Sequence, residues 1–126
     1  MEYKIQYGDN FIEFSDMKWF EPDIEIEVLV KANSNGFGGA SVFGCYYDDF
    51  EKFVSELKMV YNFEAYKADL KDMYYDSYLT FKADKTGHIY ISGTLYDLHK
   101  VQRLDFCFKA DQTSLSDFLK KWRTFK

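Results

Sequence analysis

Two histidines and two cysteines are the side chains in this 126-residue sequence best suited to holding a metal or attacking a substrate. His88 and His99 stand apart, whereas zinc sites need three or four ligands at characteristic spacings. Cys45 and Cys107 form no Cys-x-x-Cys pair, so neither a zinc site nor a disulfide framework is indicated. We therefore expect no metal and no cofactor, with His88 an ordinary polar residue at the start of a strand. The sequence leaves open whether either cysteine is reactive.

Nucleophilic or acid–base catalysis has little support in the sequence. Nucleophilic attack by cysteine needs a histidine beside it in three dimensions, and no local pattern predicts that pairing. Cys107 falls between Phe106 and Phe108 on the polar side of a predicted strand, where it could pack on the second face of a sheet. Glycosidase chemistry needs two carboxyls at a fixed separation in a cleft. The carboxylate pairs instead indicate a charged face in water; they are Asp48/Asp49, Glu25/Glu27 and Asp69/Asp72. We predict that the protein is not an enzyme.

Acidic and tyrosine side chains form clusters that suit contact with another protein. One cluster is purely acidic and is interrupted by Lys18 alone; it contains Asp16, Glu21, Asp23, Glu25 and Glu27. The others combine tyrosine with acid at a strand–helix junction and at a predicted turn; they contain Tyr46, Tyr47, Asp48, Asp49, Tyr74, Tyr75 and Asp76. Tyrosine is enriched at interfaces, and in a loop it is harder to explain as core. We predict that these twelve residues bind a partner.

Charge is distributed unevenly along the chain. The net charge is −5, but residues 1–63 hold 5 basic and 12 acidic side chains, whereas residues 64–126 hold 11 and 9. Direct nucleic-acid binding is disfavoured, because such domains usually present a basic surface. A basic protein partner would be attracted to the acidic half. Neither a signal peptide nor a membrane span is recognisable, so we expect a cytoplasmic protein. The oligomeric state stays open.

The alternation of apolar residues predicts strands that would position these clusters. An N-terminal hairpin is predicted over residues 3–14, and residues 15–23 read as a loop. Every second residue from Ile24 to Val30 is apolar, which predicts a strand with one buried face. Asn35-Gly36 favours a tight turn, and residues 37–46 should return as the antiparallel partner.

Two helical stripes and four further strands complete the predicted fold. Asp48 resembles the N-cap of a helix that ends near Asn62, and Thr113 or Ser114 resembles the cap of a final helix. Between the helices, short strands separated by turns favour a meander. We predict a single α+β domain, built from one curved antiparallel sheet of about seven or eight strands with both helices on one face.

One part of this pattern resembles a known family. Residues 87–93 read Gly-x-Ile-x-Ile-x-Gly, and Asp-Gln-Thr at residues 111–113 precedes the last helix. With Trp19 before a strongly alternating strand, residues 16–125 resemble the WapI-type immunity proteins of bacterial contact-dependent toxin systems. The resemblance implies a small cytoplasmic protein that binds and neutralises a toxin domain, often a nuclease, made by the same strain.

Three hypotheses about function therefore stand side by side. The first is an immunity protein that binds a toxin stoichiometrically. The second is a generic interaction or adaptor domain without a toxin partner, which the absence of a neighbouring toxin gene would favour. The third is an enzyme whose site is assembled only by the fold, which would need a polar cleft near a histidine or a cysteine.

Overall fold

The computed structural model describes residues 2–22 and 24–125, with side chains as far as Trp122. Within this part of the chain, eight strands and two helices form an α+β fold, as predicted. The predicted single sheet is wrong, because the strands divide into two antiparallel sheets of four. Each strand pairs with its neighbour in sequence, so the two sheets are two consecutive meanders separated by a helix.

The first sheet has the order β1-β2-β3-β4. Its strands are β1 (Glu2–Tyr7), β2 (Asn10–Phe20), β3 (Glu25–Ser34) and β4 (Phe37–Tyr46). Asn35 and Gly36 form the two-residue loop between β3 and β4, with φ values of 54° and 87°. Positive φ at both loop residues is what a type I′ hairpin turn requires, which explains the Asn-Gly pair. The predicted N-terminal hairpin is confirmed by the pairing of β1 with β2.

The predicted loop over residues 15–23 is wrong for most of its length, because β2 continues to Phe20. Its pairing with β3 shifts between Ser15 and Lys18, and Asp16 there has a φ of 53°. A bulge of this kind breaks the period of two on which strand prediction depends. Ile24 also departs from its predicted buried position; it precedes β3 and is 55% exposed.

The second sheet has the order β5-β6-β7-β8. Its strands are β5 (Lys67–Lys71), β6 (Tyr78–Ala83), β7 (His88–Tyr96) and β8 (Arg103–Asp111). Side chains rather than a backbone ladder join it to the first sheet. The Ser41 and Ser77 hydroxyls lie 3.0 Å apart, and the Ser34 hydroxyl donates to the Cys107 carbonyl at 3.2 Å. These two bonds tie β3 and β4 to the second half of the chain.

The helices are α1 (Tyr47–Tyr61) and α2 (Ser114–Phe125). α1 packs mainly against β5, and α2 packs mainly against β1. Asp48 is not the N-cap, because α1 begins one residue earlier and Tyr46 is its capping residue. Asp48 and Asp49 instead lie in the first turn, where a carboxylate is favoured by the helix dipole. Neither described helix is long and apolar enough to cross a membrane.

A single hydrophobic core joins both sheets and both helices. Phe14 of β2 lies at its centre, within 6.1 Å of the ring centroids of Phe50, Phe53 and Phe118. The remaining large, fully buried side chains include Phe43, Phe81, Ile5, Ile12, Ile26, Leu57, Leu79 and Ile89. Much of the aromatic content is therefore core, as predicted, and the outward faces of the strands are left to carry charge and tyrosine.

Candidate functional site

Glu25 and Glu27 stand on the outward face of β3, next to residues of β4. In the antiparallel register Glu25 lies opposite Tyr46, and Glu27 lies opposite Gly44. Directly opposed residues project from the same face, so these side chains share one surface. Phe20 of β2 lies on the other side of Glu25 and is 44% exposed. The register thus brings together three of the predicted partner-binding residues and adds Phe20, which was missed because its segment read as a loop.

Tyr74 reaches this surface from the turn between β5 and β6. Its hydroxyl donates a hydrogen bond to Oε1 of Glu25, and the ring is 55% exposed. The ring lies over Gly44, where an added Cβ would come within 2.6 Å of two ring carbons. Glycine is needed at position 44 because any side chain would push the tyrosine away. We call the four residues Glu25, Glu27, Tyr46 and Tyr74 the tyrosine–acid surface.

The bond to Glu25 also changes the acidity of Tyr74. The pKa of the Tyr74 phenol is raised to about 12, first by this hydrogen bond and then by burial and by the nearby negative charge of Glu25. Deprotonation would remove the donated proton and place a phenolate against a carboxylate. The tyrosine therefore stays neutral, as a donor, above the pH at which an ordinary tyrosine ionises.

A buried carboxylate holds the turn that carries Tyr74. Asp72 is fully buried, and its Oδ1 accepts from the backbone N–H groups of Gly44 at 2.9 Å and Tyr74 at 3.1 Å. Its Oδ2 accepts from the Tyr75 N–H at 3.0 Å. The interpretation of Asp72 as part of a water-exposed charged face is wrong. An aspartate at the start of a turn is typical of an Asx turn, so the sequence held a local signal for the bonds to Tyr74 and Tyr75, although not for the burial of Asp72.

Further hydrogen bonds fasten the same turn to both sheets. The Met73 N–H donates to the Gly44 carbonyl at 2.9 Å, and the Asp72 N–H donates to the Ser77 carbonyl at 2.8 Å. The Ser77 hydroxyl accepts from the Tyr96 N–H at 2.9 Å. Because β4 and β7 both hold this segment, Tyr74 and Tyr75 are displayed on a fixed support rather than on a free loop.

Tyr47 makes its hydrogen-bond and ring contacts among the described residues with Glu51 and Trp19, and not with the tyrosine–acid surface. Its hydroxyl donates to Oε1 of Glu51 at 2.6 Å, and its ring centroid lies 4.5 Å from that of Trp19. The pKa of Tyr47 is raised to about 12, first by burial and then by Glu51. Of the neighbouring predicted residues, Asp48 and Asp49 are exposed beside the surface.

Cys45 lies beneath the surface and is almost fully buried. Burial raises the pKa of its thiol to about 12, and the charges of Asp49, Asp72 and Glu25 add to the effect. The nucleophilic form of cysteine is the thiolate, so Cys45 is a poor nucleophile here. Cys107 is exposed on β8, so the suggested packing on a second sheet face is wrong. His88 begins β7, as predicted.

Among the described residues, Asp16, Glu21 and Asp76 make no hydrogen bond or ion pair to the tyrosine–acid surface. Asp16 is exposed at the bulge of β2, and Glu21 is exposed in the turn after it. Asp76 forms an ion pair with Lys100 at 2.7 Å, which lowers the pKa of its carboxyl. Asp23 lies outside the described residues. In the part of the chain that the structure describes, no three His, Cys, Asp or Glu side chains are grouped to hold a metal ion.

The sequence and the fold can be compared with those of known proteins. No curated protein matches the sequence. A solved structure described as "Crystal structures of trypanosoma bruciei MRP1/MRP2" is similar with a TM-score of 0.49 and 8% identity, covering 99% of this chain and 83% of that one. The model of the immunity protein WapI-like family matches residues 5–125, nearly the whole sequence and further toward the N-terminus than the motifs had suggested. The chain therefore belongs to the immunity protein WapI-like family.

Proposed function

We propose that this protein neutralises a toxin domain made by the same strain, by binding it stoichiometrically in the cytoplasm. Membership of the immunity family supports an immunity role. The observation that carries the binding proposal is the tyrosine–acid surface itself. Two carboxylates and two half-exposed tyrosines share one face, and a buried aspartate fixes the backbone of the turn behind them.

This arrangement supports tight binding for two physical reasons. Aromatic anchors that are already held in place lose little conformational freedom when a partner docks. Carboxylates beside them attract a basic partner and raise the rate of encounter. We infer that the toxin domain is basic, as a nuclease would be, and that the protein covers its substrate-binding face.

Co-expression with the toxin encoded by the neighbouring gene tests the role directly. Growth should be restored by the wild-type protein, and the purified pair should form a complex of fixed stoichiometry in light scattering. Absence of both rescue and complex would favour the alternative of a generic interaction domain outside toxin systems.

Charge reversal then tests the surface. In the Glu25→Lys/Glu27→Lys variant, the association rate constant at low salt should fall by roughly tenfold or more, and the loss should shrink as salt is added. The matched control is Asp9→Lys/Asp117→Lys, which changes the net charge equally. Asp9 lies in the turn between β1 and β2, at the end of the first sheet opposite to Glu25, and Asp117 of α2 lies close to that turn. Equal slowing in both variants would show that overall charge, and not this surface, guides the partner.

A further inference from the structure

A groove of about 300 Å³ opens beside the tyrosine–acid surface. Its floor is the outward face of the first sheet, where Leu29 of β3 lies opposite Val42 of β4. One wall is Tyr75, and the other is the loop between β7 and β8, which contributes Leu98. Leu98 is 59% exposed, so an apolar wall faces water here.

The groove and the tyrosine–acid surface are continuous. Along β3 and β4, the pair Leu29–Val42 is followed on the same face by Glu27 and Gly44, over which Tyr74 lies. Tyr74 and Tyr75 are adjacent, with ring centroids 6.5 Å apart, and Asp72 accepts from the backbone N–H of both. One fixed turn therefore supplies a ring to the charged surface and a wall to the groove.

The opposite wall is also held in place. Oδ1 of Asp97 accepts from the backbone N–H groups of Val101 at 2.8 Å and Gln102 at 3.2 Å, which closes the β7–β8 loop. A preformed cleft of this kind can receive a side chain without first ordering a loop.

Charges around the groove favour a basic partner. Two cations of the β7–β8 region are already paired, Lys100 with Asp76 at 2.7 Å and Arg103 with Asp105 at 2.9 Å. Glu25 and Glu27 belong to the tyrosine–acid surface at one end of the groove. Among the described residues, neither has a basic side chain within ion-pair distance. Lys18 of β2 lies opposite Glu27 in the register, and the Tyr74 hydroxyl donates to Glu25, but in the described part of the chain neither carboxylate has an ion pair that a cation of the partner would have to break.

We propose that this groove receives an apolar side chain of the toxin domain, whose neighbouring Lys or Arg contacts Glu25 and Glu27. The inference rests on the proposed function and deepens it by locating the anchor. The volume is at the lower limit of small-molecule pockets, about 300 Å³, which suits one or two side chains better than a cofactor. An apolar anchor in a pocket bordered by charge is typical of binding hot spots.

Filling the groove tests the proposal. Ala40 is exposed on β4 and lines the groove, so Ala40→Trp places a ring in it without changing charge. Calorimetry with a catalytically inactive form of the neighbouring toxin domain should show binding at least about 30-fold weaker, the loss expected at a hot spot. Ser55→Trp is the matched control, because Ser55 is an exposed residue of α1 in a separate groove between the helices. Its affinity should equal that of the wild type.

A second variant covers the case in which Ala40→Trp fails to fold. Leu98→Ala removes the apolar wall at an exposed position, and binding should weaken by roughly tenfold with unfolding unchanged. If the wild type binds the toxin domain but both variants bind equally well, the groove proposal is overturned and the proposed function stands. If the wild type does not bind, the proposed function fails and the groove proposal fails with it.

Discussion

Aromatic rings occupy two regions of this protein, and different forces hold them. In the inner ring cluster, Phe14 contacts Phe50, Phe53 and Phe118, and Phe50 also contacts Phe53, at centroid distances of 5.6–6.1 Å; all four rings are almost fully buried. On the tyrosine–acid surface, Tyr46 and Tyr74 are about half exposed.

The difference shows how an aromatic-rich chain can serve both stability and recognition. Inner rings are held by apolar burial and edge-to-face contact, which depend on the whole fold. The outer Tyr74 is held by two hydrogen bonds. Its hydroxyl donates to Glu25, and its backbone N–H donates to Asp72. A change to an inner ring should therefore act on stability, whereas a change to the outer region should act first on the partner.

Removal of one ring from each region gives the largest expected effect. Phe53→Ala should lower the free energy of unfolding by about 3–5 kcal/mol, because it leaves a cavity among Phe14, Phe50 and Phe81. Tyr46→Ala should change it by no more than about 0.5 kcal/mol. Urea denaturation measures both values. Equal losses would mean that the two regions are held alike.

Removal of Asp72 tests the polar support. Asp72→Ala leaves the buried Gly44 N–H without its acceptor and frees the Tyr74 and Tyr75 N–H groups, so we expect a loss of about 2–4 kcal/mol. Asp69→Ala is the control, because Asp69 is exposed. Hydrogen exchange at the Tyr74 and Tyr75 amides should also become faster in Asp72→Ala. Unchanged exchange would show that something other than Asp72 orders the turn.

Gly93 and Gly44 each lie close to another group, which is backbone for Gly93 and an exposed side chain for Gly44. A Cβ at Gly93 would collide with the backbone carbonyl of Tyr78 and crowd Phe106, so Gly93→Ala must strain the β6–β7 ladder. We expect it to lose about 1–3 kcal/mol. A Cβ at Gly44 would clash with the exposed Tyr74 ring and would lie at an ordinary contact distance from Oδ1 of Asp72, so Gly44→Ala should be less destabilising but should weaken toxin binding. Thermal unfolding and binding measurements on both variants check this order, and the reverse order would contradict it.

Local patterns were sufficient to predict much of the fold. The α+β class, both helical stripes and the Asn35-Gly36 turn depend on residues close in sequence. That turn also fixes the register of β3 against β4, because it places Ser34 opposite Phe37. Counting along both strands from that pair places Glu25 opposite Tyr46. The division into two sheets could not be predicted, because alternation records which side of a strand is buried and not which strand lies beside it.

Non-local contacts hid the rest of the candidate site. Tyr74 bonds to Glu25 across 49 residues, and no periodicity predicts that meeting. The bulge at Asp16 concealed the end of β2, and with it Phe20, by breaking the alternation. Asp72 looked like an ordinary surface carboxylate because its burial depends on β4 lying across the turn.

The smallest expected effect concerns the acidity of Tyr74. Its pKa in the folded protein is about 12, against an ordinary value of 10.0, and the hydrogen bond to Glu25 is the main cause. Since the folded value is the higher one, this bond stabilises the fold fully below pH 10 and is lost as the pH rises from 10 to about 12. Glu25→Gln removes the charge that opposes phenolate formation, so the pKa of Tyr74 should fall towards 10.

Ring-carbon NMR of labelled tyrosine can follow each phenol separately and provides an internal control. The pKa of Tyr47 is also raised to about 12, but by burial first and then by Glu51, so it should not change in Glu25→Gln. A shift confined to Tyr74 would show that a single exposed carboxylate holds the outer ring in solution. An unchanged Tyr74 would mean that Glu25 is not its partner, and the contrast between an inner region held by burial and an outer one held by hydrogen bonds would then rest on Asp72 alone.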